Sequence, residues 1–425
     1  MSLYSGGGKR LAGRQSGRRS NSHRGGKRLR AKRSWQWLLP VVLLVLCSVP
    51  LCSGFFKWER DPHAAQPESV DQEAVEVLPL SDSQGTSDQA EPSGDDSRTF
   101  LLSFAGDCTL GVEHASWGKS GTFPDVVGTD YSYPFSGVQS LFLQDDFTFV
   151  NLECALTDHT VPAEKEFRFR GLPAYGQILK DGGVEAVSLA NNHSLDYGKS
   201  GLTQTRQVLE DLSIAAGGDK ETFLYTTERG LKIGVYTAYH IGKQEIRQAI
   251  DSLREQGAQV IVTAFHMGTE GSYTPTAWQK EICRYAAECG AHIVYNSHPH
   301  VLQPMERWGD SVILYSMGNF CFGGNRNPTD KDTAVVQVSV ELQEDGSALL
   351  DEVTAIPCCV SSRSDRNDYR PTLYAPDSKE ATRVLSKLDG TYQPPSVKSP
   401  SSPAAQAAEE VAVSACLPVS SQTVS

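Results

Sequence analysis

Acidic residues are absent from the first 34 positions of this 425-residue chain. The same stretch carries eleven Lys and Arg residues, so the formal net charge of −12 combines a basic arm with a strongly acidic remainder. Such an arm can bind nucleic acid or a membrane surface. Residues 1–34 run directly into the most apolar segment of the chain, which favours the membrane over nucleic acid.

Charged residues are also absent from residues 35–56, a run of 22 positions. A bilayer core needs ~20 residues in helix, and Trp35 and Trp37 suit the headgroup zone at the basic end. The positive-inside rule then predicts a single-pass anchor in the cell membrane, with residues 1–34 cytoplasmic and the main domain extracytoplasmic. A cleaved signal peptide is the alternative, although no clear small-x-small site follows.

Large apolar residues are nearly absent from residues 57–98 and 394–425. Segments of this composition cannot bury enough surface to fold, so we expect a disordered acidic linker and a disordered tail. A globular domain is predicted between them, at residues 99–393, and it contains no internal repeat.

Convincing disulfide spacing is lacking among the ten cysteines. Cys358 and Cys359 are adjacent and cannot easily pair, although a bridge between Cys108 and Cys154 is conceivable. We expect mostly free, buried thiols.

Within residues 99–393, short apolar runs alternate with longer amphipathic ones, which predicts an α/β layered fold. The last two predicted strands have no helix between them and should pair as an antiparallel hairpin. The predicted helices are 201–212, 243–255 and 276–289. The predicted strands are 100–105, 147–151, 184–189, 232–237, 259–264, 292–295, 312–315, 334–340 and 349–356.

Five polar motifs end or follow apolar runs: F-A-G-D at 104–107, F-V-N-L-E at 149–153, A-N-N-H-S-L-D-Y-G at 190–198, H-M-G-T-E at 266–270 and S-H-P-H at 297–300. Ligands of α/β sheets collect beyond the carboxyl ends of strands, so we expect the motifs to converge. Carboxylate, amide and imidazole together suit a borderline divalent metal, or two that share a carboxylate. The candidate ligands are Asp107, Glu153, Asn192, His266, His298 and His300.

Each motif also has a plainer interpretation. Asp107 alone could belong to an ordinary turn, Glu153 could be a surface acid, and S-H-P-H could be a solvated pair. In an extended S-H-P-H segment, however, His298 and His300 point the same way and can face one metal pair. Glu270 could brace His266 or add a ligand.

Other residues suggest roles around such a metal. His193 would point at whatever the metal binds, and Asp196 could orient its imidazole. Arg168 and Arg170 could clamp an anionic substrate, or could simply form a charged strand edge. Asn319 belongs to a motif, Y-S-M-G-N-F, that is typical of a turn lining a pocket.

In series, these motifs resemble the CapA (poly-γ-glutamate capsule synthesis) family over about residues 100–325. That family is similar to calcineurin-like metallophosphoesterases, which implies an α/β four-layer α-β-β-α sandwich of metallophosphatase type with an N-terminal transmembrane helix. The resemblance implies one or two divalent ions, such as manganese, iron or zinc. The resemblance implies that Glu153 bridges two ions and that Asp107 and His300 share the first ion with it. The second ion would be held by Asn192, His266 and His298. His193 would be the proton donor.

Two positions depart from the pattern that the resemblance implies. The first motif of dinuclear phosphoesterases is D-x-H, and Thr109 stands in place of its imidazole. The first ion could therefore bind weakly, or a single ion could bind. Asn296 stands where a glycine is usual, and asparagine tolerates a tight backbone there.

The sequence therefore predicts an anchored protein of capsule polymer (poly-γ-glutamate) biosynthesis or export, with a metallophosphatase-like site. The expected partners are the lipid bilayer, an anionic polymer such as poly-γ-glutamate and membrane-bound capsule synthase subunits, with no nucleic acid. One alternative is a non-catalytic polymer-binding module of a synthase complex, which Thr109 favours. The other is a secreted metal-dependent phosphodiesterase or nucleotidase.

Overall fold

The computed structural model describes residues 98–394. The predicted basic arm, anchor and linker before Arg98, and the predicted tail after Pro394, lie outside the described residues. Among residues 98–394, no helix combines the length and the apolar character that crossing a bilayer requires.

The three predicted helices are present. Residues 243–255 form a helix with the predicted ends, and the other two have shifted ends. Thr276 caps its helix in a reciprocal capping box with Gln279, which places the start at Ala277. The α-helices of the described residues are α1 Phe123–Val127, α2 Gln139–Phe142, α3 Gly176–Gly182, α4 Gly198–Asp211, α5 Lys243–Glu255, α6 Ala277–Glu288 and α7 Lys379–Leu388.

All nine predicted strands are present in the described residues, together with eight others that the periodicity did not predict. The strands of the described residues are β1 Thr99–Thr109, β2 Val112–Glu113, β3 Phe147–Leu152, β4 Ala155–Leu156, β5 Phe169–Gly171, β6 Ala186–Ser188, β7 Ala215–Gly217, β8 Glu221–Thr226, β9 Lys232–Ala238, β10 Val260–His266, β11 Ile293–Ser297, β12 Met305–Trp308, β13 Ser311–Leu314, β14 Asn319–Phe322, β15 Asp332–Leu342, β16 Ala348–Cys359 and β17 Thr372–Leu373.

The larger sheet has the strand order β17-β16-β15-β1-β3-β6-β7, and β14 pairs with β1. β1, β3, β6 and β7 run parallel, whereas β15 runs antiparallel to β1. β15 and β16 form the antiparallel hairpin that the sequence predicted.

The second sheet has the order β12-β13-β11-β10-β9-β8, and its four central strands are parallel. A small third sheet, with the order β2-β5-β4, follows the ends of β1 and β3 along the chain.

The two large sheets face each other across one apolar core. Phe104 and Phe149 of the larger sheet pack in the same cluster as Val262 and Tyr295 of the second sheet. Apolar residues of α1 to α4 pack with the outer face of the larger sheet, and those of α5 and α6 with the outer face of the second. The result is a mixed α/β fold in which helices pack against two central sheets.

The last helix, α7, is attached to the larger sheet by ion pairs around the buried Asp332. Asp332, at the start of β15, accepts two hydrogen bonds of 2.7 Å from Arg383 and one of 2.8 Å from Lys387. Burial alone would raise the pKa of Asp332, but these two cations outweigh it and lower the pKa below its ordinary value. The folded state therefore favours the ionised carboxylate.

We expect Asp332→Asn to lower the free energy of unfolding at pH 7 by about 1–3 kcal/mol, because the buried Lys387 keeps only Asp330 as a carboxylate partner and the partly exposed Arg383 loses its own. The folded-state pKa is depressed, so this contribution is present above the ordinary aspartate pKa and is lost as the pH falls through the folded value. Urea unfolding at pH 7 and at several values below pH 4 measures the difference from wild type. The exposed Asp351→Asn is the control, and a difference that stays constant with pH would refute the assignment.

Candidate metal centre

The five predicted motifs meet at one edge of the two sheets. In the larger sheet, Asp107 lies near the carboxyl end of β1, Glu153 follows β3, and Asn192 lies between β6 and α4. In the second sheet, His266 ends β10 and His298 follows β11. Because β1, β3 and β6 are parallel neighbours, as are β10 and β11, their carboxyl ends bring the motifs together.

Asp107 is positioned by a close approach of β1 to the start of β14. A Cβ atom at Gly106 would lie 2.1 Å from the carbonyl oxygen of Gly318, so the backbones can approach only with glycine there. The N–H of Asp107 donates to that oxygen at 2.8 Å. The side-chain Oδ1 accepts from Asn151 at 2.8 Å, whereas Oδ2 is buried without a hydrogen bond.

Glu153 is held through its backbone by β1. Its N–H donates to the carbonyl of Cys108 at 2.9 Å, and its own carbonyl accepts from the Thr109 hydroxyl at 3.1 Å. Thr109, which stands where the D-x-H motif has its imidazole, therefore fixes the backbone of Glu153, the predicted bridging carboxylate.

The Oε1 atom of Glu153 is fully buried and has no hydrogen bond. It lies 3.6 Å from Nε2 of His266, 3.8 Å from Nε2 of His300 and 3.9 Å from Nε2 of His193. A buried carboxylate oxygen without a partner is costly, since its desolvation is uncompensated. Three imidazoles around such an oxygen form a set of donors that suits a divalent cation.

His266 faces several ligand atoms at once. Its Nδ1 contacts the Ser297 hydroxyl at 2.8 Å, which leaves Nε2 directed into the site. This nitrogen lies 2.8 Å from Oδ1 of Asn192, 3.2 Å from Nδ1 of His298 and 3.6 Å from Oε1 of Glu153. An imidazole nitrogen carries at most one proton, so protons cannot satisfy all these contacts, whereas a cation among them could.

The S-H-P-H segment does not have the predicted backbone conformation. β11 ends at Ser297, and His298 and His300 have φ values of 100° and 58°. The expectation of an extended segment was therefore wrong, because the chain turns at both histidines. Such conformations cost free energy in non-glycine residues and persist only where surrounding contacts impose them.

Asn319 holds His300 in place. Its Oδ1 lies 3.0 Å from Nδ1 of His300, and its Nδ2 donates to the carbonyl of the same residue at 3.1 Å. The His300 Nδ1 also lies 3.2 Å from Oδ2 of Asp107. Asn319, predicted to line a substrate pocket, thus contacts a candidate metal ligand.

The titration behaviour of the site reflects two buried carboxylates close together. Burial and the Asp107 carboxylate raise the pKa of Glu153 well above its ordinary value. Burial would lower the pKa of His300, but Glu153 and Asp107 outweigh it and raise the pKa to about 10. A proton on His300 and a divalent cation are therefore alternative counter-charges for the same carboxylates.

The pKa values of two other candidate ligands, His266 and His298, are lowered instead of raised. Burial and the neighbouring histidines lower the pKa of His266 well below its ordinary value. Burial and His300 also lower the pKa of His298. Both are therefore favoured as neutral imidazoles, the form that binds metals.

His193 is oriented by a carboxylate and a lysine. Its Nδ1 lies 2.7 Å from Oδ2 of Asp196, as the sequence led us to expect. The sequence did not reveal Lys165, whose ammonium group donates to Oδ1 of Asp196 at 2.6 Å and to the carbonyl of Asn192 at 2.7 Å. The only sequence signal for Lys165 was its place in the stretch before F-R-F-R-G.

Two further asparagines were also missed. Asn151 of N-L-E donates to Asp107, and Asn191, the first asparagine of A-N-N-H, donates to Oδ1 of Asn151 at 3.0 Å. Asn191 also accepts the N–H of His193 at 3.0 Å. Both residues lie within recognised motifs, and their amides connect the Asp107 and His193 parts of the site.

The predicted substrate arginines have other contacts. Arg168 donates to Glu113 at 3.3 Å, and Arg170 lies over the Trp117 ring at 3.8 Å. Phe169, between them, packs against the imidazole of His193 with ring centroids 4.5 Å apart. Alternation along β5 thus directs Phe169 toward the site, and the substrate role of the arginines stays a prediction.

The seven cysteines in residues 98–394 are free, and all except Cys359 are buried. Cys108 and Cys154 are not bridged. Burial raises the pKa of both thiols, so neither is a ready thiolate ligand.

Two groups of candidate ligands lie in the described part of the chain. Ligand atoms of Asp107, Glu153 and His266 lie within 4.8 Å of one another, and those of Glu270, His298 and His300 form a second such group. The first group is buried and the second is partly exposed. Both sets of donors fit a borderline divalent cation, although metal binding itself stays a prediction.

Comparison with known proteins agrees with the motifs. PGA biosynthesis protein CapA of Bacillus subtilis (strain 168) is 28% identical over 313 residues, which cover 67% of this chain and 77% of that protein. Capsule biosynthesis protein CapA of Bacillus anthracis is 28% identical over 297 residues, which cover 62% and 71%.

Among solved structures, sulfate thiohydrolase SoxB of Thermus thermophilus shares 12% sequence identity with this chain at a TM-score of 0.36. The alignment covers 71% of this chain and 61% of SoxB. At this level of structural similarity, the family assignment rests on sequence.

The sequence model of the family described as bacterial capsule synthesis protein PGA_cap matches residues 101–324. This match covers more than half of the chain and contains every candidate metal ligand named above. The chain therefore belongs to the bacterial capsule synthesis protein PGA_cap family.

Proposed function

We propose that this chain is a membrane-anchored, extracytoplasmic protein of capsule polymer biosynthesis or export, and that it carries a metallophosphatase-like site for one or two divalent cations. Family membership supports the role in capsule synthesis. The Bacillus subtilis relative, a PGA biosynthesis protein, points to poly-γ-glutamate as the polymer.

One observation carries the proposal of a metal site. The Oε1 atom of Glu153 is fully buried, makes no hydrogen bond, and lies 3.6–3.9 Å from Nε2 of three histidines. Such an arrangement is costly for a site that binds only protons, whereas a cation would satisfy the oxygen and the imidazoles together.

The contacts suggest how the residues divide between two positions. Asp107, Glu153 and His300 lie together, and Glu153 also adjoins the group of Asn192, His266 and His298. In such a site, Glu153 would be shared between the two positions. When bound, a divalent cation polarises a phosphoryl or acyl oxygen and lowers the pKa of water toward ~7.

The remaining residues are placed to bind and to move a proton. Asp196 accepts from Nδ1 of His193, which directs Nε2 of His193 toward the candidate ligands. That nitrogen could deliver a proton to a leaving group. Phe169 covers one side of the imidazole ring and limits its access to water.

A second candidate function is a non-catalytic module that holds the carboxylates of an anionic polymer beside membrane-bound synthase subunits. Thr109 favours it, because the residue that would supply a metal-binding imidazole instead donates to the backbone of Glu153. A site with fewer ligands can bind a cation and a carboxylate without performing hydrolysis.

We expect Glu153→Gln to lower Mn²⁺ affinity by more than about 100-fold, since the loss of an outer partner alone costs about 10–100-fold. The amide keeps the size of the side chain but removes the charge shared by both groups of ligands. Equilibrium dialysis of the full chain with elemental analysis measures the bound metal.

The exposed Glu344→Gln, in the β15–β16 turn, is the control and should bind metal as wild type does. Equal occupancy in Glu153→Gln and wild type would contradict the metal site. The same preparations separate the two candidate functions. An enzyme is supported if wild type hydrolyses bis(p-nitrophenyl) phosphate with Mn²⁺ and Glu153→Gln does not. The binding module is supported if wild type binds metal without hydrolysing this substrate.

We expect Lys165→Met to destabilise the fold by about 1–3 kcal/mol, because the buried Asp196 carboxylate loses its charged partner. If His193 acts in catalysis, the variant should also lower kcat more than KM, since the imidazole loses its fixed orientation. Urea unfolding and steady-state hydrolysis test the two effects. Lys199→Met, an exposed lysine at the start of α4, is the control, and equal effects of the two substitutions would contradict the role of Lys165.

The proposed membrane anchor at residues 35–56 predicts that the full chain stays with membranes after alkaline washing. Deletion of residues 35–56 should release it, and protease added to intact cells should digest the domain of wild type. Recovery from washed cells of a soluble chain whose mass lacks residues 1–56 would instead show a cleaved signal peptide.

A further inference from the structure

The loop after β10 carries Glu270 to the open side of the candidate metal centre. Ligand atoms of Glu270, His298 and His300 lie within 4.8 Å of one another. Glu270 is exposed and the two imidazoles are half-buried, so this group faces solvent, whereas Asp107, Glu153 and His266 lie beneath the surface. The carboxylate thus lies above the buried part of the site.

Backbone hydrogen bonds fix this loop against the S-H-P-H segment. The N–H of Met267 donates to the carbonyl of Ser297 at 3.0 Å, and the N–H of Gly271 donates to the carbonyl of Pro299 at 2.8 Å. Asn296 adds a side-chain bond of 2.9 Å to the carbonyl of Met267. Glu270 lies between the two backbone connections, so its position beside the histidines is built into the fold.

Asparagine at position 296 contributes to this arrangement in a way that glycine could not. Its Nδ2 donates both to Met267 and, at 2.7 Å, to the carbonyl of Tyr315. The side chain therefore ties the Glu270 loop to the end of β13. The departure from the expected motif at Asn296 and the placement of Glu270 are parts of one local structure.

The buried part of the site is short of one metal ligand, and Glu270 could supply it. Asp107 Oδ2 and Glu153 Oε1 are buried without hydrogen bonds, and both lie beside His300. Thr109 supplies no donor to this side, because its hydroxyl is directed to the Glu153 carbonyl. A cation held by Asp107, Glu153 and His300 would have three protein ligands, and Glu270 lies next to His300.

We propose that Glu270 is a metal ligand that completes the position of Asp107, Glu153 and His300, in place of the imidazole absent at Thr109. This inference rests on the metal site of the proposed function. With three carboxylates and one imidazole, the position is richer in oxygen than a site completed by a second imidazole. Such donors suit Mn²⁺ better than a position with two imidazoles would.

The experiment counts Mn²⁺ ions bound to the full chain. We expect two per wild-type chain, with the magnetic coupling between neighbouring Mn²⁺ ions visible by electron paramagnetic resonance. Glu270→Gln should bind one ion and lose the coupling, whereas Glu270→His should restore two ions, because an imidazole again supplies the ligand. Glu255→Gln, an exposed residue at the end of α5, should bind two.

Because Glu270 is exposed, its substitution should leave the metal-free fold intact, and circular dichroism checks this point. Two ions in Glu270→Gln, or one in both wild type and Glu270→Gln, would overturn the inference while leaving a metal site in place. The inference would also fail if Glu270→Gln lost both ions. No bound metal in the wild type would overturn the proposed function together with it.

Discussion

The structure depends on burying two carboxylates, Asp107 and Glu153, at the edge where its two large sheets meet. Each keeps one oxygen without a hydrogen bond. Removing a charge from water costs several kcal/mol unless a partner compensates. His300, with its raised pKa, is the cationic partner within the chain, and a divalent cation would compensate both groups more fully. The surrounding histidines and amides are best understood as the environment of this buried negative charge.

The fold supports that charge mainly through backbone contacts. The N–H of Asp107 is bound by Gly318, and the backbone of Glu153 is bound on both sides by residues of β1. The hydroxyl of Tyr295 in the second sheet donates to the carbonyl of Ala105 at 2.9 Å, which joins the two sheets just before Asp107. Because sheets are stiff and their registers are fixed, the positions of the carboxylates do not depend on flexible side chains.

Most long elements could be predicted from periodicity, whereas several short ones could not. The helix α5 and the β15–β16 hairpin have strong patterns of their own, but β2, β4 and β5 have two or three residues each and exist because neighbouring segments pair with them. The helix α7 is a different case. Ser378 caps it, and Ala381, Val384 and Leu388 recur on one buried face, so its sequence carries a helix signal although this helix was not predicted.

Some residues of the candidate site could likewise be predicted from the sequence, and others could not. Ligand-type residues at strand ends could be recognised because their chemistry is distinctive and their topological position is shared. Lys165 could not, because a lysine in a polar loop looks like any solvated charge until the fold brings it to Asp196. The positive φ values of His298 and His300 were also hidden, since tertiary contacts such as those of Asn319 impose them.

Thr109 shows why a missing ligand does not by itself indicate a vestigial site. A site that is no longer used has no reason to keep costly features, such as buried carboxylate oxygens without hydrogen bonds or histidines with positive φ. Here both are present, and the hydroxyl of Thr109 fixes the backbone of the carboxylate with the most candidate ligands around it. In the proposed site, Thr109 would therefore contribute rigidity at Glu153 instead of direct coordination, and a residue from another loop would supply the ligand on the open side. That exchange is compatible with binding and with catalysis, because it keeps the charge and geometry that a cation requires.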